Sequence, residues 1–165
     1  MPLTRKSKII VGVAGAVFAL DRLTKLLILA KLGLYQVVTV IDGWFDIVHV
    51  RNKGAAFSML STMDESYRTA FFMVVSLLAI GFMGWFVVKA REDEKLTVIA
   101  LAMIIGGAAG NLTDRVLYGD VVDFIDWHVG TLHWPVFNIA DSGITVGIAL
   151  LAIDAFFKGK AGELR

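Results

Sequence analysis

Four stretches of this chain are apolar for long enough to cross a lipid bilayer as helices: about Ile9–Leu32, Thr69–Val88, Leu96–Leu117 and Ile139–Phe157. A helix needs roughly 17–25 apolar residues to cross the hydrocarbon core. Backbone groups in that core must bond within their own segment, which favours helices over open strands. The expected fold is an α-helical integral membrane protein, with four transmembrane helices in a single membrane-embedded domain covering residues 1–165. An apolar content of 57% and a mean hydropathy of +0.72 point the same way, since soluble domains run at about 45–50%. Arg5, Lys6 and Lys8 precede the first stretch as they would in a cleaved leader. That stretch is too long for one, is interrupted by Asp21 and Lys25, and has no A-x-A-like end, so it is read as a retained span.

Basic residues set the orientation, because cytoplasmic connections are enriched in Lys and Arg. Arg5, Lys6 and Lys8, then Lys89, Arg91 and Lys95, then Lys158, Lys160 and Arg165 all fall on one side if there are four crossings. Both termini are then cytoplasmic, and the connections at about 33–68 and 118–138 face outward. The first of these contains "VVTVIDGWFDIVHV", two β-rich runs joined by Asp42-Gly43, a dipeptide suited to a two-residue hairpin turn. A small antiparallel sheet on the outer membrane face is expected. Trp44, Phe45, Trp127 and Trp134 suit the headgroup zone, though each taken singly is more simply read as an anchor or a small-core residue.

Ionisable residues inside spans cost roughly 2.5–3.5 kcal/mol each on insertion scales, so each needs a reason. Asp21 and Lys25 are spaced to neutralise one another on one helix face, either as a packing pair or as participants in chemistry. "GGAAGNLTDR" offers Gly106 and Gly110 for close helix approach. One turn on, Asn111, Asp114 and Arg115 form a polar comb that must face the bundle or a wet cavity. Arg115 either pairs with Asp114 or holds a peptide carbonyl with its fork. In "FNIADSGI", Asn138 is a helix N-cap and Asp141 falls in the first turn, where the helix dipole favours a carboxylate.

Four spans bring the end of the third, the acid-rich "GDVVDFIDWH" connection and the start of the fourth to one level. Asp123 and Asp141 can then face each other. Two close carboxylates share one proton. One serves as base toward water while the other hydrogen-bonds a substrate carbonyl, which is what peptide hydrolysis without a metal requires. Net charge of +1 makes no case for nucleic acid, and the absence of Cys removes thiol nucleophiles and thiolate metal sites. A proton- or ion-coupled transporter is the main alternative, but it would spread titratable residues through the bilayer depth. A metal hydrolase would have to use His128 and His133, which lack HExxH spacing and are read as interfacial loop residues. A scaffold without chemistry leaves the polar comb unexplained.

Taken in order, "DRLTK", "RNKGAAFS", "GGAAGNLTDR", "VVDFID" and "FNIADSGI" resemble the bacterial lipoprotein signal peptidase family, signal peptidase II. The resemblance implies an aspartic endopeptidase of the bacterial cytoplasmic (inner) membrane, with its site near the outer, periplasmic face. It would remove signal peptides from diacylglyceryl-modified prolipoproteins, cutting on the N-terminal side of the lipidated Cys. By the same resemblance Asp123 and Asp141 are the catalytic pair, and Asn52, Gly54, Asn111, Arg115 and Asn138 bind substrate or shape the site. Asp21, Lys25 and Asp114 give structural support, and Asp120 and Asp126 are solvated or turn-forming neighbours. No metal or other cofactor is expected. The expected partners are the diacylated precursor and membrane phospholipid, and the expected state is a monomer. The first outer loop is expected to close over the site.

Overall fold

A computed structural model describes residues 4–54 and 64–163, with side chains to residue 158. The Ala55–Ser58 part of the "RNKGAAFS" box therefore lies outside the described residues, as does much of the loop expected to close over the site.

Four helices form among the described residues: α1 (Arg5–Lys31), α2 (Glu65–Lys89), α3 (Lys95–Tyr118) and α4 (Ile139–Glu163). Local chemistry sets their ends. Thr4 caps α1 by accepting from the Ser7 N–H at 3.2 Å, and Asp64 caps α2 through the Ser66 N–H at 2.9 Å. Helix α3 stops at Gly119, whose φ of 82° is the left-handed conformation that glycine adopts without strain. Three of the four, α2, α3 and α4, are long and apolar enough to cross a membrane. Helix α1 is as long, but Asp21, Arg22 and Lys25 interrupt its apolar run.

Helix α3 is central and packs against α1, α2 and α4. Close approach comes from small residues: a Cβ on Gly107 would stand 2.3 Å from the Ala140 carbonyl oxygen of α4. On the same helix, one on Gly110 would stand 2.5 Å from an Asp21 oxygen of α1. By contrast, α2 turns Phe71, Val74, Leu77, Leu78, Phe82 and Trp85 outward, the surface of a helix whose surroundings are apolar.

The connections contribute one antiparallel sheet in the order β1 (Val37–Ile41), β2 (Phe45–Asn52), β3 (Val121–Val129), β4 (Leu132–His133). The β1–β2 hairpin forms where expected but closes differently. Ile41 pairs with Phe45, so the loop has three residues, Asp42-Gly43-Trp44, with Gly43 at φ 75° and a shifted register beyond Thr39. The extra residue is Trp44, whose N–H returns to the Ile41 carbonyl at 3.0 Å.

A larger correction concerns "VVDFID", read as part of an acid-rich connection. It is strand β3, joined to β2 with Val50 opposite Asp123 and Asn52 opposite Val121. Its far edge receives Phe137, which exchanges hydrogen bonds with Ile125 at 2.8 and 3.1 Å. The start of α4 is thus tied to β3. Ile28 of α1 joins Val122 and Phe124 of β3 in a small apolar core beneath the sheet.

Candidate active site

Beneath the sheet lies a buried polar quartet. Lys25 Nζ stands 2.9 Å from Asp21 and 2.9 Å from Asp114, and Arg22 closes on the other Asp114 oxygen. Two cations meet two carboxylates, so the cluster is electrically neutral, as burial of charge requires. It also ties the elements together. Asp21 accepts the Ala140 N–H of α4 at 3.0 Å, and Asp114 accepts the Val122 N–H of β3 at 3.1 Å. These contacts give Asp21, Lys25 and Asp114 the positions of structural supports. Arg22, which sequence reasoning passed over, is the fourth member. Its signal was arithmetic: Asp21, Lys25 and Asp114 alone leave one negative charge over.

Asn138 and Asp141 open α4 as a reciprocal box. The Asp141 N–H donates to Asn138 Oδ1 at 2.9 Å, and the Asn138 N–H donates to Asp141 Oδ2 at 3.3 Å. The Asn138 amide also reaches Asp123 Oδ1 on β3 at 2.6 Å. Asn52, from β2, donates to the other Asp123 oxygen at 2.7 Å, and Asn111, from α3, donates to Asp141 Oδ1 at 2.7 Å. Each asparagine oxygen is itself held. Asn52 Oδ1 accepts the Gly54 N–H at 2.8 Å, and Asn111 Oδ1 accepts from Lys25 at 2.9 Å and from Asn138 at 3.2 Å. Gly54 is required there, because at φ 91° a Cβ would fall 2.1 Å from the Phe72 ring.

Asp123 and Asp141 both line an open cleft of about 840 Å³, together with Asn52, Phe137, Thr145 and Val146. Asp123 is 1% exposed, and its pKa is pushed up to about 7, first by burial and then by the charge of Asp141. Asn111 and Asn138 sit buried behind the acids. Arg115 does not pair with Asp114, whose oxygens are already taken. Its Nη1 donates to the Asn111 carbonyl at 3.3 Å, its guanidinium stacks 5.1 Å over Phe72, and its charge is felt by Asp141 and Asp123.

Asp120 sits in the bend between α3 and β3, as a turn-forming neighbour would, but neither it nor Asp126 is solvated. Both are largely buried, Asp120 pairing with Arg51 and Asp126 lying on β3 at 3.0 Å from His133. Nor are His128 and His133 loop residues. They occupy facing positions on β3 and β4, stack at 4.6 Å, and meet Asp46 and Asp126 respectively. Among the described residues no group of three or more His, Asp or Glu is arranged to hold a metal ion.

Helices of this length and hydropathy, with two acids bedded in amides at a cleft, are the make-up of a membrane enzyme. Two solved structures of a bacterial membrane enzyme, determined by the in meso method at 2.3 and 1.9 Å, share the fold. The first superposes with a TM-score of 0.80 at 32% identity over 93% of this chain and 90% of its own. The second gives 0.79 at 32%, over 88% and 91%. The family model for signal peptidase (SPase) II matches residues 13–157. The lipoprotein signal peptidase of Geobacter sulfurreducens is 53% identical over 135 residues, 82% of this chain and 83% of the relative. That of Syntrophus aciditrophicus is 42% identical over 147 residues, 89% and 91%. The chain belongs to the signal peptidase II family, and is a peptidase.

Proposed function

We propose that this peptidase removes the signal peptide from diacylglyceryl-modified prolipoproteins by an aspartic mechanism, with Asp123 and Asp141 as the catalytic dyad. The observation that carries the reading is the bridge made by Asn138, which donates to both acids at the wall of one cleft. Charge balance supports it too. With one shared proton the pair carries a single negative charge, which the nearby Arg115 offsets.

Asp123, the more deeply buried acid, keeps the shared proton and donates it to the scissile carbonyl oxygen. Asp141, the less buried acid at the cleft wall, takes a proton from water as the water oxygen attacks the carbonyl carbon. Collapse of the tetrahedral diol breaks the C–N bond. Asp141 passes its proton to the leaving nitrogen, and the diol returns one to Asp123. The products are the signal peptide with a terminal carboxylic acid, which gives its proton to solvent, and the lipidated Cys with a free amine, and no metal enters the cycle.

All four helices span the cytoplasmic (inner) membrane in this reading, with both termini in the cytoplasm. The neutral quartet is what allows α1 to cross despite its charges. The sheet then rests on the outer face, where the exposed Trp44, Trp127 and Trp134 meet headgroups. A diacylated Cys is held at that depth by its acyl chains, so substrate and dyad share a level. The enzyme works as a monomer among phospholipids. The test is whether purified protein in detergent, with chelator present, shortens a diacylated prolipoprotein. An uncleaved precursor, or cleavage only on adding metal, would refute the proposal.

A further inference from the structure

We propose that Lys25 is a positioning residue of the dyad, acting through Asn111 to hold an N–H donor on Asp141, and is not a packing support alone. The proposal rests on the dyad reading above. An asparagine amide presents an acceptor at one end and donors at the other, and its neighbours decide which end goes where. An ammonium only donates. Lys25 Nζ, fully buried and 2.9 Å from Asn111, therefore fixes that end as Oδ1. The opposite end must then be Nδ2, which meets Asp141 Oδ1 at 2.7 Å.

Every charged group around this path has a partner on a neighbouring element. Lys25 faces Asp21 of its own helix and Asp114 of α3, and Asp114 is shared with Arg22. Asp141 is met by Asn111 from α3 and by Asn138 at the start of its own helix, and it feels the charges of Arg115 and Asp123. Without Lys25, the Asn111 oxygen keeps, among the described residues, only the longer 3.2 Å bond from Asn138. The amide is then free to turn and set an oxygen against Asp141. Two acceptors in contact favour the protonated acid, so the base would be lost at a pH where it normally works.

Lys25→Met alone would leave Asp21 uncompensated, so the test uses the neutral double variant Lys25→Met/Asp21→Asn, in which the substituted amide oxygen at position 21 can still accept the Ala140 N–H. The readout is the pH dependence of kcat/KM on a diacylated precursor in detergent, with thermal unfolding measured alongside. The acid limb is expected to move up by about one to two pH units, the equivalent of one charge-assisted hydrogen bond. Asn111→Ala leaves the quartet intact and should show the same displacement, with no further displacement when the variants are combined. A wild-type acid limb in the folded double variant would return Lys25 to a purely structural role. Should that variant not fold, an unshifted limb in Asn111→Ala overturns the proposal instead. If Asp141→Asn turns over normally, the dyad reading itself fails. An inactive Asp141→Asn beside unshifted profiles sinks only the role given to Lys25.

Discussion

The Asn138 amide stands 2.6 Å from Asp123 on one side, and on the other its main-chain N–H reaches Asp141 at 3.3 Å. One buried residue therefore fixes the relation between a strand acid and a helix acid. It does so from the cap position of α4, where its carbonyl accepts the first helical N–H, that of Ser142, at 3.1 Å.

If the two acids act as a unit, Asp123→Asn and Asp141→Asn each lower kcat/KM by at least about 10²–10⁴-fold. The double variant should be little worse than either single one. An amide in place of the Asp141 carboxylate keeps a capping oxygen, so insertion and melting should stay close to wild type. Precursor cleavage followed by gel shift measures this, and near-normal turnover in either variant would sink the dyad. Asp120→Asn and Asp126→Asn are the comparison pair and should keep activity.

Asp123 binds its proton more tightly when folded, at about 7 against an ordinary 3.8. Between those values the folded protein holds a proton that the unfolded chain has released. Stability is thus full below 3.8 and falls as pH rises through about 7. Thermal unfolding in detergent should show this decline, and Asp123→Asn should flatten its part of it. The alkaline limb of activity should also fall near 7 as the proton is lost. A melting profile equally steep in Asp123→Asn would mean that another group titrates.

Arg115 holds the Asn111 carbonyl and stacks on Phe72 through a planar fork that Lys does not possess. Arg115→Lys should insert normally yet lose roughly ten- to a hundredfold in kcat/KM, the worth of one charged hydrogen bond. Full activity in that variant would reduce Arg115 to a generic positive charge.

Gly107→Ala forces a methyl against the Ala140 carbonyl and should destabilise the α3–α4 contact by about 1–3 kcal/mol. Gly81, on α2, has nothing within 4 Å of a built Cβ, and Gly81→Ala should be neutral or stabilising by up to about 1 kcal/mol. Denaturation in mixed micelles separates the two, and equal effects would contradict the packing described.

Topology is accessible because the chain has no cysteine. Lys53→Cys and His133→Cys should react with an impermeant thiol reagent from outside intact cells, and Glu92→Cys should not. Labelling of Glu92→Cys would overturn cytoplasmic termini with four crossings.

Helices and the opening of α4 were legible because their signals are local: apolar length, and an Asn followed three residues on by an Asp. Strand β3 was not. Acids at 123 and 126, three apart, break the two-residue alternation by which a half-buried strand is recognised, and its partner β2 lies some 70 residues earlier. Buried acids also look like surface acids until their partners are known. Asp120 needs Arg51, and Asp126 needs His133, each brought in by a neighbouring strand. The likeness of motifs singled out Asp123 and Asp141, but Arg22, inside the "DRLTK" box, was given no role there and Phe72 lies outside every box, so both had to be found in space.

The sheet joins a hairpin made early in the chain to a strand made late, and α4 anchors the quartet through the Ala140 N–H and completes the acid pair. That arrangement bears on the order of synthesis. A ribosome that has delivered α1, α2 and α3 has made Lys25, Asn52 and Asn111, but it has not yet made Asp123 and Asp141, the acids the two amides meet. Nor has it made Ala140, whose N–H anchors Asp21. On the dyad reading a half-made chain is therefore an inert one, and the ability to cut peptide bonds arrives in a single step with the last helix.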